Sequence, residues 1–142
     1  MNKLKIENVV FCETIRPELG GKYSLLGAFA PELTIPLEQN TQLPVIIPIA
    51  LFITGVPSSI GKFVAELRVL DVDGNQIVGG KVNGDFSVIS VTSLVLGTMP
   101  LPIVNSGEYV FEWTFDENSW DRIGTLKIIF SRSDAPTPNP TS

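Results

Sequence analysis

The chain of 142 residues has no histidine and a single cysteine, Cys12. Without an imidazole there is no Ser-His-Asp or Cys-His pair for nucleophilic catalysis, and no nitrogen ligand for zinc. One thiol cannot close an internal disulfide, and alone it makes no site for a metal that prefers soft or borderline ligands. No enzyme chemistry, cofactor or metal is therefore expected. Charge is also scarce: 18% of residues are charged, with ten basic residues against fifteen acidic and a net charge of −5. The basic residues are scattered, so a nucleic-acid partner, which needs clustered Lys and Arg, is not expected. An anionic membrane surface is disfavoured for the same reason. Long apolar runs are missing too. None approaches the ~18 residues of a membrane span; the closest, Leu43 to Val56, is broken by Pro44, Pro48 and Gly55. Asn8 and Glu13 interrupt what would have to be a signal-peptide core. The expected location is the cytoplasm.

What is present is apolar and punctuated. Hydrophobic residues make up 44%, rich in Val and Ile, and eleven prolines and twelve glycines interrupt them at short intervals. That mixture describes many short strands joined by turns. In Glu108 to Asp116, Tyr109, Phe111, Trp113 and Phe115 share one face, a period of two that needs one buried and one wetter side. Phe63 to Val72 alternates likewise and ends in Asp71-Val72-Asp73-Gly74-Asn75, where Asp-Gly predicts a two-residue hairpin turn, with Gln76 to Gly80 returning. Val9 to Ile15 and Lys22 to Ala30 form an opening hairpin around Arg16 to Gly21, and Thr125 to Ser131 is the last strand. Val45 to Thr54 and Phe86 to Leu96 are apolar on both faces. Such strands sit centrally, beneath a covering loop or at a subunit contact. The reading is an all-β, antiparallel, immunoglobulin-like sandwich of about eight strands over residues 1–132. Residues 133–142, with three prolines and no large apolar side chain, are expected to be a disordered tail.

Individual motifs have structural explanations beside their chemical ones. Cys12 lies among Val10 and Phe11 and reads as a small buried hydrophobe. Asp71, Asp73 and Asn75 have the spacing that begins a calcium loop, but the glycine falls at the fourth position instead of the sixth, and a hairpin turn explains them. Asp116, Glu117 and Asp121 read as a solvated turn, not as paired catalytic carboxylates. Gly20-Gly21-Lys22 and Gly79-Gly80-Lys81 lack phosphate-loop spacing and read as turns or bulges. Gly107-Glu108-Tyr109 stands where a tyrosine corner would lie.

The run from Phe11 to Gly27 holds the pattern F-C-x-x-I-R-x-E, then Gly20-Gly21-Lys22, then Leu26-Gly27. It resembles the opening of a family of small bacterial proteins of unknown function, and Gly107-Glu108-Tyr109 is similar to that family's final hairpin. The resemblance implies a β-sandwich and supplies no activity or catalytic residue. Two polar groups are candidate recognition surfaces: Glu13, Arg16 and Glu18 on the first hairpin, and Trp120, Asp121 and Arg122 beside Asn118 at a loop tip. The expected function is a non-enzymatic interaction or structural module with a protein partner or a second copy of itself, a homodimer, through Leu43 to Val56 and Val88 to Val104. The alternative is a small-ligand or carbohydrate-binding sandwich, with Trp120 as the stacking group.

Overall fold

The structure is a computed structural model that describes residues 3–29 and 32–132. The proposed tail from Ser133 lies outside the described residues. Nine strands follow in order: β1 Leu4–Glu18, β2 Lys22–Ala28, β3 Glu32–Leu37, β4 Val45–Pro57, β5 Gly61–Leu70, β6 Gln76–Phe86, β7 Thr92–Ile103, β8 Gly107–Thr114 and β9 Asp121–Arg132. They form two sheets, β2-β1-β4-β7 and β3-β9-β8-β5-β6. Eight strands were expected; β3, not anticipated, is the ninth. It is also the exception to antiparallel order, since it joins β9 in parallel.

The alternation on β8 builds the core. Tyr109, Phe111 and Trp113 are all buried, and their rings face the other sheet. Phe111 packs on Phe11 of β1 with centroids 5.0 Å apart. Trp113 meets Phe115 at 5.0 Å, Phe115 meets Phe63 at 5.7 Å, and Phe63 stacks on Phe86 at 4.5 Å. Such offset and tilted rings add to the free energy of burial. From β4, Ile47, Ile49, Leu51 and Ile53 fill the opposite side of the same layer.

β4 accounts for much of the unusual apolarity between Leu43 and Val56. It lies between β1 and β7; the pairing of β1 with β4 ends where Cys12 meets Ala50, while β1 goes on pairing with β2 as far as Glu18. The Thr98 hydroxyl of β7 donates to the Glu13 carbonyl at 3.1 Å, and the Tyr23 ring lies 5.6 Å from that of Phe52. Because β4 separates β1 from β7, these contacts place the distal β1–β2 hairpin across the outer face of β4. Cys12 and Ala50 are fully buried beneath it. Val45 to Ile49 have β7 on one side and no β1 partner on the other, so Pro48 occupies a locally free edge, as a proline must. Leu43 and Ile46 remain exposed.

Three local expectations change. The Asp71–Asn75 connection is a three-residue loop: Gly74 N–H donates to the Asp71 carbonyl, Asp71 N–H donates to the Asn75 carbonyl, and Gly74 has φ 85°. A type I turn closed by a left-handed glycine gives this loop, and it displaces the two-residue turn. Asp71 Oδ1 accepts from the backbone of Asp73 and Asn75, so its carboxylate serves the turn. β6 runs on to Phe86, and residues 87–91 leave the sheet before β7 begins at Thr92. Gly79-Gly80-Lys81 is thus strand interior, not a turn. Gly84 belongs there because the Phe63 ring occupies the space where a Cβ would stand.

The Tyr109 hydroxyl donates to the Asn105 carbonyl at 2.6 Å, which is the tyrosine corner. Burial pushes this phenol's pKa up, so its contribution is present below the ordinary tyrosine pKa of ~10 and is lost as pH rises past it. Tyr109→Phe should cost about 1 kcal/mol in urea unfolding at neutral pH, and the variant should lose less stability than the wild type above pH ~10.

Candidate functional site

The site is the outer face of the five-stranded sheet. Inward placement of Leu67, Val69, Phe111 and Trp113 turns Glu66, Arg68, Glu112 and Thr114 to that face by strand alternation. Arg68 and Glu112 pair across β5 and β8. Arg68 Nε and Nη2 both approach Glu112 Oε1 at 2.8 Å. Their side chains are 27% and 16% exposed, so water screens this pair less than it screens a surface pair.

The β8–β9 connection swings Trp120 onto this ion pair. Asp116 Oδ1 accepts from the backbone N–H of Asn118 and Ser119 at 2.9 and 3.0 Å, and Thr114 Oγ1 accepts from Glu117 N–H at 3.0 Å. Glu117 takes a left-handed φ of 66°. The tight turn brings the Trp120 ring over the Arg68 guanidinium, 3.9 Å from its carbon to the ring centroid, a cation–π stack. Trp120, Arg68 and Glu112 are thus joined in one stack of contacts.

Two shallow clefts flank it. One, of about 300 Å³, is lined by Glu66, Gln76, Gly79, Gly80, Lys81 and Trp120 together with Leu67. The other, of about 290 Å³, is lined by Val64, Glu66, Lys81, Thr114, Phe115, Asp116 and Glu117. Glu66 and Lys81 are cross-strand neighbours and form the ridge between the clefts. Among the described residues, no ion pair holds either of them. The face therefore offers an aromatic wall, a carboxylate, an ammonium and an amide.

The six anticipated recognition residues do not come together. Glu13, Arg16 and Glu18 are exposed on β1, in the four-stranded sheet. Arg16 and Glu18 pair at 3.3 Å, and the Ser24 hydroxyl donates to Glu18 at 3.0 Å. The turn itself is Leu19-Gly20-Gly21, three residues shorter than the Arg16–Gly21 connection expected, because Arg16, Pro17 and Glu18 stay in β1, with Pro17 opposite Tyr23. A Cβ on Gly27, where φ is 66°, would lie 2.8 Å from the Glu13 side chain. The close of the F-C-x-x-I-R-x-E…L-G pattern is thus a contact between Glu13 and a left-handed glycine, a structural role.

In the second group only Trp120 stands at the clefts. Asp121 pairs with Trp113, and its Oδ2 is buried without a hydrogen-bond partner, as is Trp113 Nε1. It thus stands at the start of β9 and not at a loop tip. Arg122 lies opposite Glu112 at the start of β9. Arg68, Glu66, Gln76 and Lys81 escaped the sequence reading because their position beside Trp120 depends on sheet order. The alternation of Glu66 and Arg68 with buried residues was the one available signal.

No cluster of three or more His, Cys, Asp or Glu suited to a metal occurs among the described residues, and no helix there is long and apolar enough to cross a membrane. Cys12 is buried, with its thiol 3.7 Å from the Ala50 carbonyl oxygen.

No family model and no curated protein matches the sequence. Among solved structures, the C-terminal domain of wzt is similar over 92% of this chain and 76% of that one, at 16% identity and a TM-score of 0.50. The chain is an immunoglobulin-like β-sandwich. A CARDB domain from Pyrococcus furiosus, solved in complex with di-metal ions, matches over 92% of this chain and 99% of its own at 9% identity and a TM-score of 0.38. Likeness at these identities concerns the fold alone.

Burial raises the Cys12 thiol pKa, which lowers its thiolate fraction at neutral pH. Reaction with a disulfide reagent at pH 8 should be at least about 100-fold slower in the folded protein than in urea, as followed by absorbance of the released thiolate.

Proposed function

We propose that the protein is a non-enzymatic interaction module whose recognition face is the outer surface of the five-stranded sheet. The observation that carries this reading is the Trp120–Arg68–Glu112 unit, held together by a cation–π stack and an ion pair beside two clefts whose Glu66 and Lys81 are in no ion pair among the described residues. Rigid aromatic surface with polar groups beside it contributes affinity at low cost in side-chain entropy. Catalysis is left out of the reading because the sequence has no histidine and its one thiol is buried. Nucleic acid and membranes are left out because basic residues are few and dispersed. A cytoplasmic location accords with a lone, buried cysteine.

A second reading, that the face takes a small ligand of the carbohydrate class, is favoured by the Trp120 ring together with Glu66, Gln76 and Lys81. Sugars present apolar C–H faces to aromatic rings and hydroxyls to planar polar groups. Only one face of Trp120 is open to such stacking, since Arg68 covers the other.

Arrays of oligosaccharides and of peptides, followed by titration of tryptophan fluorescence, test both readings. Binding should fall at least about tenfold in Trp120→Ala and in Lys81→Ala and stay unchanged in Arg16→Ala. Binding lost in Arg16→Ala but kept in Trp120→Ala would move recognition to the β1–β2 hairpin and overturn the assignment. Silence from every oligosaccharide would remove the carbohydrate reading.

A further inference from the structure

The four sheet edges are not equally protected. β2 and β3 are short, seven and six residues, and β3 contains Pro36. β7 carries Pro100 and Pro102. β6 has eleven residues and no proline, and pairs on one side only, with β5. Its other side pairs with no strand among the described residues. A cleft of about 290 Å³ lies between Lys81, Val82 and Asn83 and the Val95, Leu96, Gly97 and Met99 of β7. An unpaired edge presents backbone donors and acceptors to a further strand.

The side chains of β6 say which strand fits. Lys81, Asn83 and Asp85 point to the outer face, and Gly80, Val82, Gly84 and Phe86 to the core side, as their pairing with β5 requires. Lys81 and Asp85 are in no ion pair among the described residues. They stand two positions either side of Asn83, with opposite charge. A strand with this arrangement is complementary to itself when antiparallel.

We propose that two copies of the chain pair through their β6 edges about a two-fold axis at Asn83, giving one continuous ten-stranded sheet. In this register Lys81 faces the partner's Asp85, and Asn83 faces the partner's Asn83. On the core side Phe86 lies opposite the partner's Gly80 and Val82 opposite the partner's Gly84, so each glycine receives a larger apolar neighbour. The charges form a row across four strands: Glu66, Lys81, the partner's Asp85 and the partner's Lys62. Centring the axis on Lys81 or Asp85 would instead set like charges opposite one another. A shift by one residue would put outer side chains against core ones.

Val88, Ile89 and Val91 are 46%, 59% and 64% exposed. They leave β6 immediately after Phe86, which carries them toward the partner's Ile77 and Val78. The pairing draws Lys81 toward the partner's Asp85, leaves Trp120, Glu66 and Gln76 on the outer face, and sets the two Trp120 sites on one continuous surface. It does not depend on what those sites bind.

Sedimentation velocity of the full chain at low salt tests the register. The wild type should be a dimer at about 50 μM, and K81D and D85K should each weaken it at least about tenfold, because each sets like charges face to face. An equimolar mixture of K81D and D85K should restore the dimer as a heterodimer, an effect that damage to the monomer fold would not produce. N83C should give an intermolecular disulfide on mild oxidation, since residues directly opposed on antiparallel strands have Cβ atoms ~5 Å apart, while E32C should not. A monomeric wild type would overturn the proposal. So would a dimer indifferent to both charge changes, a mixture that stays monomeric, or an N83C variant that cross-links no faster than E32C.

Discussion

The layer of aromatic rings between the two sheets is the constraint on which the rest of the molecule depends. Tyr109, Phe111 and Trp113 of β8 all turn inward; Tyr109 is tied to the Asn105 carbonyl, Phe111 packs on Phe11 of β1 and Trp113 packs on Phe115. Fully burying side chains of this kind contributes about 1.5–3 kcal/mol each before the cost of ordering them. β8 must therefore sit inside its sheet, flanked by β9 and β5. The same alternation sends Glu112 outward to meet Arg68.

The candidate site follows from that arrangement. Arg68 is usable as a platform for Trp120 because Glu112 holds it by charge-assisted hydrogen bonding at 2.8 Å. The short turn closed by Thr114 and Asp116 then delivers the indole. An arginine on a free surface would sample many rotamers and give no fixed stack. The fold places a polar, aromatic surface on the wet side of a sheet whose dry side is the core.

The four-stranded sheet meets a different demand. β4 is apolar on both faces, and a strand of that kind in a two-layer sandwich would leave one face wet. The distal part of the β1–β2 hairpin lies over it, with Tyr23 against Phe52 and Glu13 bonded to Thr98. Glu13, Arg16 and Glu18, which looked like a recognition surface, are the polar exterior of that cover. The exposed ion pair Arg16–Glu18 is worth about 0.2–1 kcal/mol at most.

Much of this was legible in the residues themselves. Period-two alternation marked β5, β8 and β9, the glycines and Asp71 marked turns, and the absence of histidine removed whole classes of chemistry. These are local properties, decided by which side chains can share a face or a turn. Strand order, the fold-back of β1 over β4, and the meeting of Arg68 with Trp120 join residues 52 positions apart in the chain, and no local pattern encodes them. β3 and the far half of β6 were missed because Glu32 and Pro36, or Asn83, Gly84 and Asp85, have little strand preference of their own. They are strands because a neighbouring strand supplies the hydrogen bonds and, at Gly84, a phenylalanine ring supplies the side chain. Sequence alone thus determined the all-β class and the absence of histidine-based chemistry, since both depend only on residue types and their spacing. Tertiary structure decided which polar residues stand together, because that depends on which strands hydrogen-bond across the sheet.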